Sequence, residues 1–202
     1  MRKLTIMLGL VLAVVTACQT VKAPPVPNRN AIAGDSVIWQ GILYGGELRN
    51  ADVENKVAPG TVAANSLPRV EQDVAGATTS ASTWVFAYGQ NYAEPNPYGE
   101  TQKADLFRLL YAPHANSCVV VVLPDNTRNS THVAQVRKDL QTIAATRAHT
   151  QVADWSLVVA VHPEYLAADR VHLNVPPWEE GIAPQAPAQA FMNMVWEAAD
   201  RC

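Results

Sequence analysis

A chain of 202 residues, 49% hydrophobic and 16% charged, can bury one substantial core; it is too apolar to be intrinsically disordered and of a length that suits one domain better than two. Its formal net charge is −3, so no basic surface argues for nucleic acid as a partner. The sequence holds no H-E-x-x-H, P-loop, G-x-G-x-x-G or zinc-type Cys/His pattern, and neither a metal nor a cofactor is expected.

The chain opens on "MRKLTIMLGLVLAVVTAC", with a short basic start at Arg2 and Lys3, an apolar stretch from Leu4 to Val15 and a small-residue exit at Thr16 and Ala17. A membrane-spanning helix needs about 20 apolar residues, so residues 1–17 are expected to be an export signal that is removed. The exit Val15-Thr16-Ala17-Cys18 resembles the lipobox of bacterial lipoproteins. That resemblance implies a lipidated Cys18 as the first mature residue, a membrane contact through the lipid, and a location in the bacterial cell envelope. Of the 15 basic residues, Arg2 and Lys3 lie in the leader; without them 13 face 18 acidic ones, a net charge of −5. Residues 18–30 include "QTVKAPPVPNRN", which has three prolines and no apolar period; this is an extended tether, and the folded domain is expected over 31–202.

Five apolar runs of strand length follow, at 31–34, 52–57, 84–88, 118–123 and 150–155. The fourth, "CVVVVL", is apolar on both faces, as a central parallel strand should be. Between and after them lie stretches of helical spacing at 37–48, 62–74, 101–111, 131–147 and 187–201; the fourth carries Val133, Val136, Leu140 and Ile143 on one stripe. Strands alternating with helices predict an α/β chain, a three-layer α/β/α sandwich around a central, mostly parallel five-stranded sheet. Active groups in such sheets gather at the carboxyl ends of the strands. In an oxidising exterior compartment the two remaining cysteines, Cys118 and Cys202, are available to each other, and a disulfide is expected, with two free thiols as the alternative.

The first strand runs into "GDS", Gly34 to Ser36. Asp35 or Ser36 can cap the helix that follows. A serine at a strand-to-helix turn can equally be a nucleophile, with helix N–H groups facing the oxyanion, provided a base lies elsewhere. Of five histidines, His172 in "DRVH" has Asp169 three residues before it, so one turn of chain can set the carboxylate against one imidazole nitrogen and leave the other for the serine. His162 is the rival, but Val159 stands three residues before it. After the third strand, "GQN" offers Gly89 and Asn91, whose side-chain amide can donate to an oxyanion; after the second, "APGT" offers the backbone of Gly60. Either could be an ordinary turn.

Taken in order, GDS, Gly, GxN and DxxH resemble the SGNH hydrolase superfamily, which includes the GDSL esterases and lipases. The resemblance spans about Ala31 to Asn174. It implies a flavodoxin-like fold and a serine esterase that hydrolyses or transfers acyl groups, with Ser36 as nucleophile, His172 as base and Asp169 as its orienting carboxylate. It also implies an oxyanion hole from the Ser36 backbone, Gly60 and Asn91. Two positions depart from the family's pattern: Val37 stands for the leucine of GDSL, and Tyr92 for the aspartate of GxND. The compartment points to ester substrates on envelope carbohydrate or lipid. Trp39 and Trp178 could line a cleft or pack in the core, and the proline-rich segment 174–189 could form a rim or a plain connection. The alternative is a catalytically silent binding or scaffold lipoprotein on the same fold. There is no G-x-S-x-G elbow of the α/β-hydrolase kind.

Overall fold

The computed structural model describes residues 29–46, 48–49, 51–52, 57, 62–75, 81–92, 97–176 and 185–202. The leader, Cys18, most of the tether, Gly60 and Trp178 fall outside these residues, as does 177–184 of the proline-rich segment.

The sheet contains β1 (Asn30–Gly34), β2 (Ala51–Asp52), β3 (Thr83–Ala87), β4 (Cys118–Leu123) and β5 (Thr150–Asp154), all parallel, in the order β2-β1-β3-β4-β5. The helices are α1 (Ser36–Tyr44), α2 (Ala63–Ala75), α3 (Glu100–Tyr111), α4 (Thr131–Thr146), α5 (Trp155–Val161) and α6 (Ala186–Asp200). This order has its switch point between β1 and β3, where the connections leave in opposite directions and open a crevice at the carboxyl ends.

Every residue of β4 is buried, and the strand's period of two divides its side chains between two cores. Cys118, Val120 and Val122 join Ile32 and Val85 under α1, α5 and α6, whereas Val119, Val121 and Leu123 join Trp84 and Phe86 under α2, α3 and α4. That is the expected three-layer arrangement. The Cys118–Cys202 disulfide is present, with Cα atoms 5.8 Å apart.

Of the second strand, expected over 52–57, the described residues pair Ala51–Asp52 with β1 and bridge Val57 to Gly34, while 53–56 lie outside them. Two expectations need correction. The first helix stops at Tyr44, where the Gly45 amide closes on the Gly41 carbonyl, rather than running on to 48. Trp155 belongs not to the last strand but to α5, which Asp154 starts by accepting the Ser156 amide.

Candidate active site

Gly34 ends β1 where a Cβ would collide with Ile38 and Ala87, so only glycine lets α1 turn back so closely on the sheet. Asp35 then caps α1 by accepting the Val37 amide at 3.0 Å. The cap is therefore Asp35, which leaves the side chain of Ser36, the first residue of α1, free for another partner. Ser36 Oγ lies 2.8 Å from His172 Nε2.

The histidine comes from a hairpin after α5. Leu166 and Leu173 pair antiparallel, and Arg170, at φ 55°, makes the left-handed bend between them. That bend brings Asp169 Oδ2 to 2.6 Å from His172 Nδ1, while Oδ1 accepts the amides of Val171 and His172. Partial burial pushes the Asp169 carboxyl up, but the hydrogen bonds from the His172 ring and these two amides outweigh it and hold the group below the usual carboxylate range. An ionised Asp169 can only accept, so the Nδ1 atom carries the proton and Nε2 is left to accept the serine hydroxyl. Ser36 is 3% exposed, whereas the His172 side chain is 34% exposed and open to a substrate from the solvent side.

The neighbouring strand supplies the next group. Gly34 pairs with Ala87, so the turn after β3 stands beside Ser36 across the switch point. Gly89 has φ 140°, and a Cβ there would come within 2.6 Å of Pro124, so the turn requires glycine. Half-buried Asn91 follows in the 3-10 turn Gln90–Tyr92. Gln90 Nε2 donates to the Asp125 carbonyl at 3.0 Å. Tyr92, which stands where the GxND pattern has aspartate, is 1% exposed; its phenol oxygen accepts the Ala63 amide at 3.0 Å, and its ring meets Tyr98 edge-on at 5.0 Å. The turn is thus tied to the start of α2 by a tyrosine.

Asp35, the acid of GDS, and Gln40, which lies outside the motif pattern, join these pieces. Asp35 takes the backbone amides of Gly89 and Gln90 as well as that of Val37, and burial against this cradle, partly offset by those amides and by His172, pushes its carboxyl up to about 7. Gln40, one turn along α1 from Ser36, accepts the Leu173 amide at 2.9 Å. The sequence signal for Gln40 is a polar residue on the inner face of an apolar helix.

His162 does not reach the serine. It pairs with Glu164 at 3.0 Å, stacks on Tyr165, and faces a groove of about 1090 Å³ along β5 that contains none of Ser36, Asp169 and His172. Trp39 packs half-buried against the core beneath α1 and α6. Among the described residues no group of three or more His, Cys, Asp or Glu side chains could hold a metal, and no helix is long and apolar enough to cross a membrane.

No family model and no curated protein matches the sequence. Solved structures do. The catalytic C-terminal domain of peptidoglycan O-acetyltransferase A from Streptococcus pneumoniae, determined with a methylsulfonyl adduct, superposes with a TM-score of 0.66 at 20% identity, over 87% of this chain and 94% of that one. A lipase/acylhydrolase from Enterococcus faecalis gives 0.59 at 16% identity, over 86% and 96%. A GDSL-like lipase from Bacteroides thetaiotaomicron gives 0.58 at 13% identity, over 86% and 88%. With its parallel sheet, its strand order and these neighbours together, the chain has the fold of the SGNH and GDSL-type hydrolases.

Proposed function

We propose that this protein is a serine-dependent ester hydrolase or acyltransferase. The observation that carries the proposal is the unbroken relay from Ser36 Oγ through His172 to Asp169, at 2.8 and 2.6 Å. In this mechanism Ser36 attacks the ester carbonyl as its proton passes to His172 Nε2. Asp169 accepts the hydrogen bond from Nδ1–H throughout without taking the proton, fixing the ring and stabilising the imidazolium. The tetrahedral oxyanion is met by the Ser36 backbone amide and the Asn91 side chain, with Gly60 as a third donor. His172 returns the proton to the leaving alcohol, and water or a second hydroxyl then releases the acyl group from Ser36.

The proposed substrates are acyl esters on envelope carbohydrate or lipid. The expected leader over 1–17, followed directly by Cys18, supports the compartment, and a fold neighbour named for O-acetyl transfer to peptidoglycan supports an envelope carbohydrate. We infer export and anchoring through Cys18; cells fed labelled palmitate should incorporate it into the wild type and not into Cys18→Ala, and equal labelling would refute the anchor.

The test of the chemistry is a fluorophosphonate probe on the purified domain. Wild type should be labelled and Ser36→Ala and His172→Ala should not, with turnover of a short-chain aryl ester lowered at least about 10³-fold. If Ser36→Ala kept most of its turnover, the nucleophile would be elsewhere. An unlabelled wild type would favour the silent binding module.

A further inference from the structure

We propose that Gln40 is a positioning residue for the serine–histidine pair, holding the histidine hairpin on the nucleophile helix through the Leu173 amide. This rests on the roles assigned above to Ser36 and His172.

Among the described residues the hairpin's other hydrogen bonds run within itself or to the short turn just before it, His162 to Glu164. The Ala167 amide donates to the His172 carbonyl, the Asn174 amide to the Tyr165 carbonyl, and the Val171 and His172 amides to Asp169. These fix the shape of the hairpin but not its place against α1. Among the described residues only two hydrogen bonds cross from 165–175 to α1: Ser36 with His172, and Gln40 with Leu173. The first is the reacting contact, which is broken and remade in each turnover; the second is the standing one.

Its geometry suits that task. Gln40 stands four residues after Ser36, one helical turn along the same face. Leu173 is the next residue after His172. The two ends of the standing bond therefore lie one turn and one residue from the two reacting atoms, although 133 residues of chain separate them. Gln40 is 8% exposed and Leu173 1%, so water does not readily replace the carbonyl acceptor. The apolar contact of Leu173 and Val171 with the core under α1 presses the hairpin down but tolerates sliding; a 2.9 Å hydrogen bond sets the register. A displacement of about 1 Å between nucleophile and base is enough to cost on the order of a hundredfold in rate.

The experiment compares Gln40→Met with Gln40→Glu in the purified protein. Methionine keeps the length and helix preference of glutamine but removes the oxygen acceptor; glutamate restores an oxygen that can accept the Leu173 amide. For Gln40→Met we expect kcat to fall about ten- to a hundredfold with KM changed less than about threefold, and a matching slowing of fluorophosphonate inactivation. For Gln40→Glu we expect most of that loss to be recovered. Should the methionine variant fail to fold, Gln40→Asn keeps the amide, falls one methylene short of Leu173, and should show the same fall in kcat. Turnover in folded Gln40→Met or Gln40→Asn equal to wild type, or a glutamate variant as impaired as they are, would overturn the proposal. A wild type labelled at Ser36 but insensitive at position 40 refutes the role of Gln40 alone. A wild type that is not labelled refutes the serine mechanism and this role with it.

Discussion

The carboxylate of Asp35 accepts amide protons from Val37 on one side and from Gly89 and Gln90 on the other, so one charge joins the Ser36 turn to the turn that carries Asn91. The groups facing it are His172, Tyr88 and Tyr92. Burial pushes both phenols up, Tyr92 to about 12, and they stay neutral through the range in which Asp35 titrates. With a folded pKa raised from 3.8 to about 7, Asp35 binds its proton more tightly folded than unfolded. Its contribution to stability is therefore full below about pH 4 and is lost as pH rises through about 7, by up to about 4 kcal/mol. Asn at this position does not titrate. Denaturation of wild type and Asp35→Asn across pH 4 to 8 should show the wild type losing ground to the variant as pH rises, then a constant difference above about pH 8; parallel curves would disprove the assignment. Catalysis should run the other way. The ionised carboxylate accepts all three amides, whereas protonation turns one oxygen into a donor, so the Asn91 turn is best held at the pH where Asp35 costs most.

The elements divide by how local their signals are. The apolar run of β4 and the stripe on α4 were legible, because burial on both faces or on one stripe writes itself into a continuous or periodic pattern. So were Ser36 at the end of β1 and the spacing of Asp169 and His172, since each depends on a few neighbouring residues. α5 was not legible, because "WSLVVAV" has a single polar residue, Ser156, and no polar face to reveal a helical period, so strand and helix look alike over its six apolar residues. The bracing around Asn91 was invisible for a different reason. Tyr92 finds Ala63 and Gln90 finds Asp125 across elements adjacent only after folding, so the tyrosine that departs from the GxND pattern is a strut that no local stretch of sequence reveals.

The Cys118–Cys202 bridge ties the chain after α6 to the first residue of β4. α6 in turn crosses α1 closely enough that a Cβ on Gly41 would lie 2.9 Å from Phe191, so the bridge secures the helix against which α1 rests. Ser36, His172 and the Asn91 turn sit at the opposite, carboxyl ends of the strands, away from the bridge. Closing a sequence separation of 84 residues is worth about 4 to 5 kcal/mol in the chain-entropy treatment. For a domain of this size each kcal/mol moves the melting temperature by about 2 to 4 °C, so reduction should lower it by about 10 to 15 °C. Thermal melts with and without a phosphine reductant test this, with the double variant Cys118→Ala/Cys202→Ala as control. The variant should melt near the reduced wild type and should not respond to reductant. Well below its melting temperature it should keep wild-type kcat, because neither sulfur touches Ser36, His172 or the Asn91 turn. A wild type whose melting is indifferent to reductant would mean that α6 is held by packing of Phe191, Val195 and Trp196 alone, and that the bridge adds nothing to the fold.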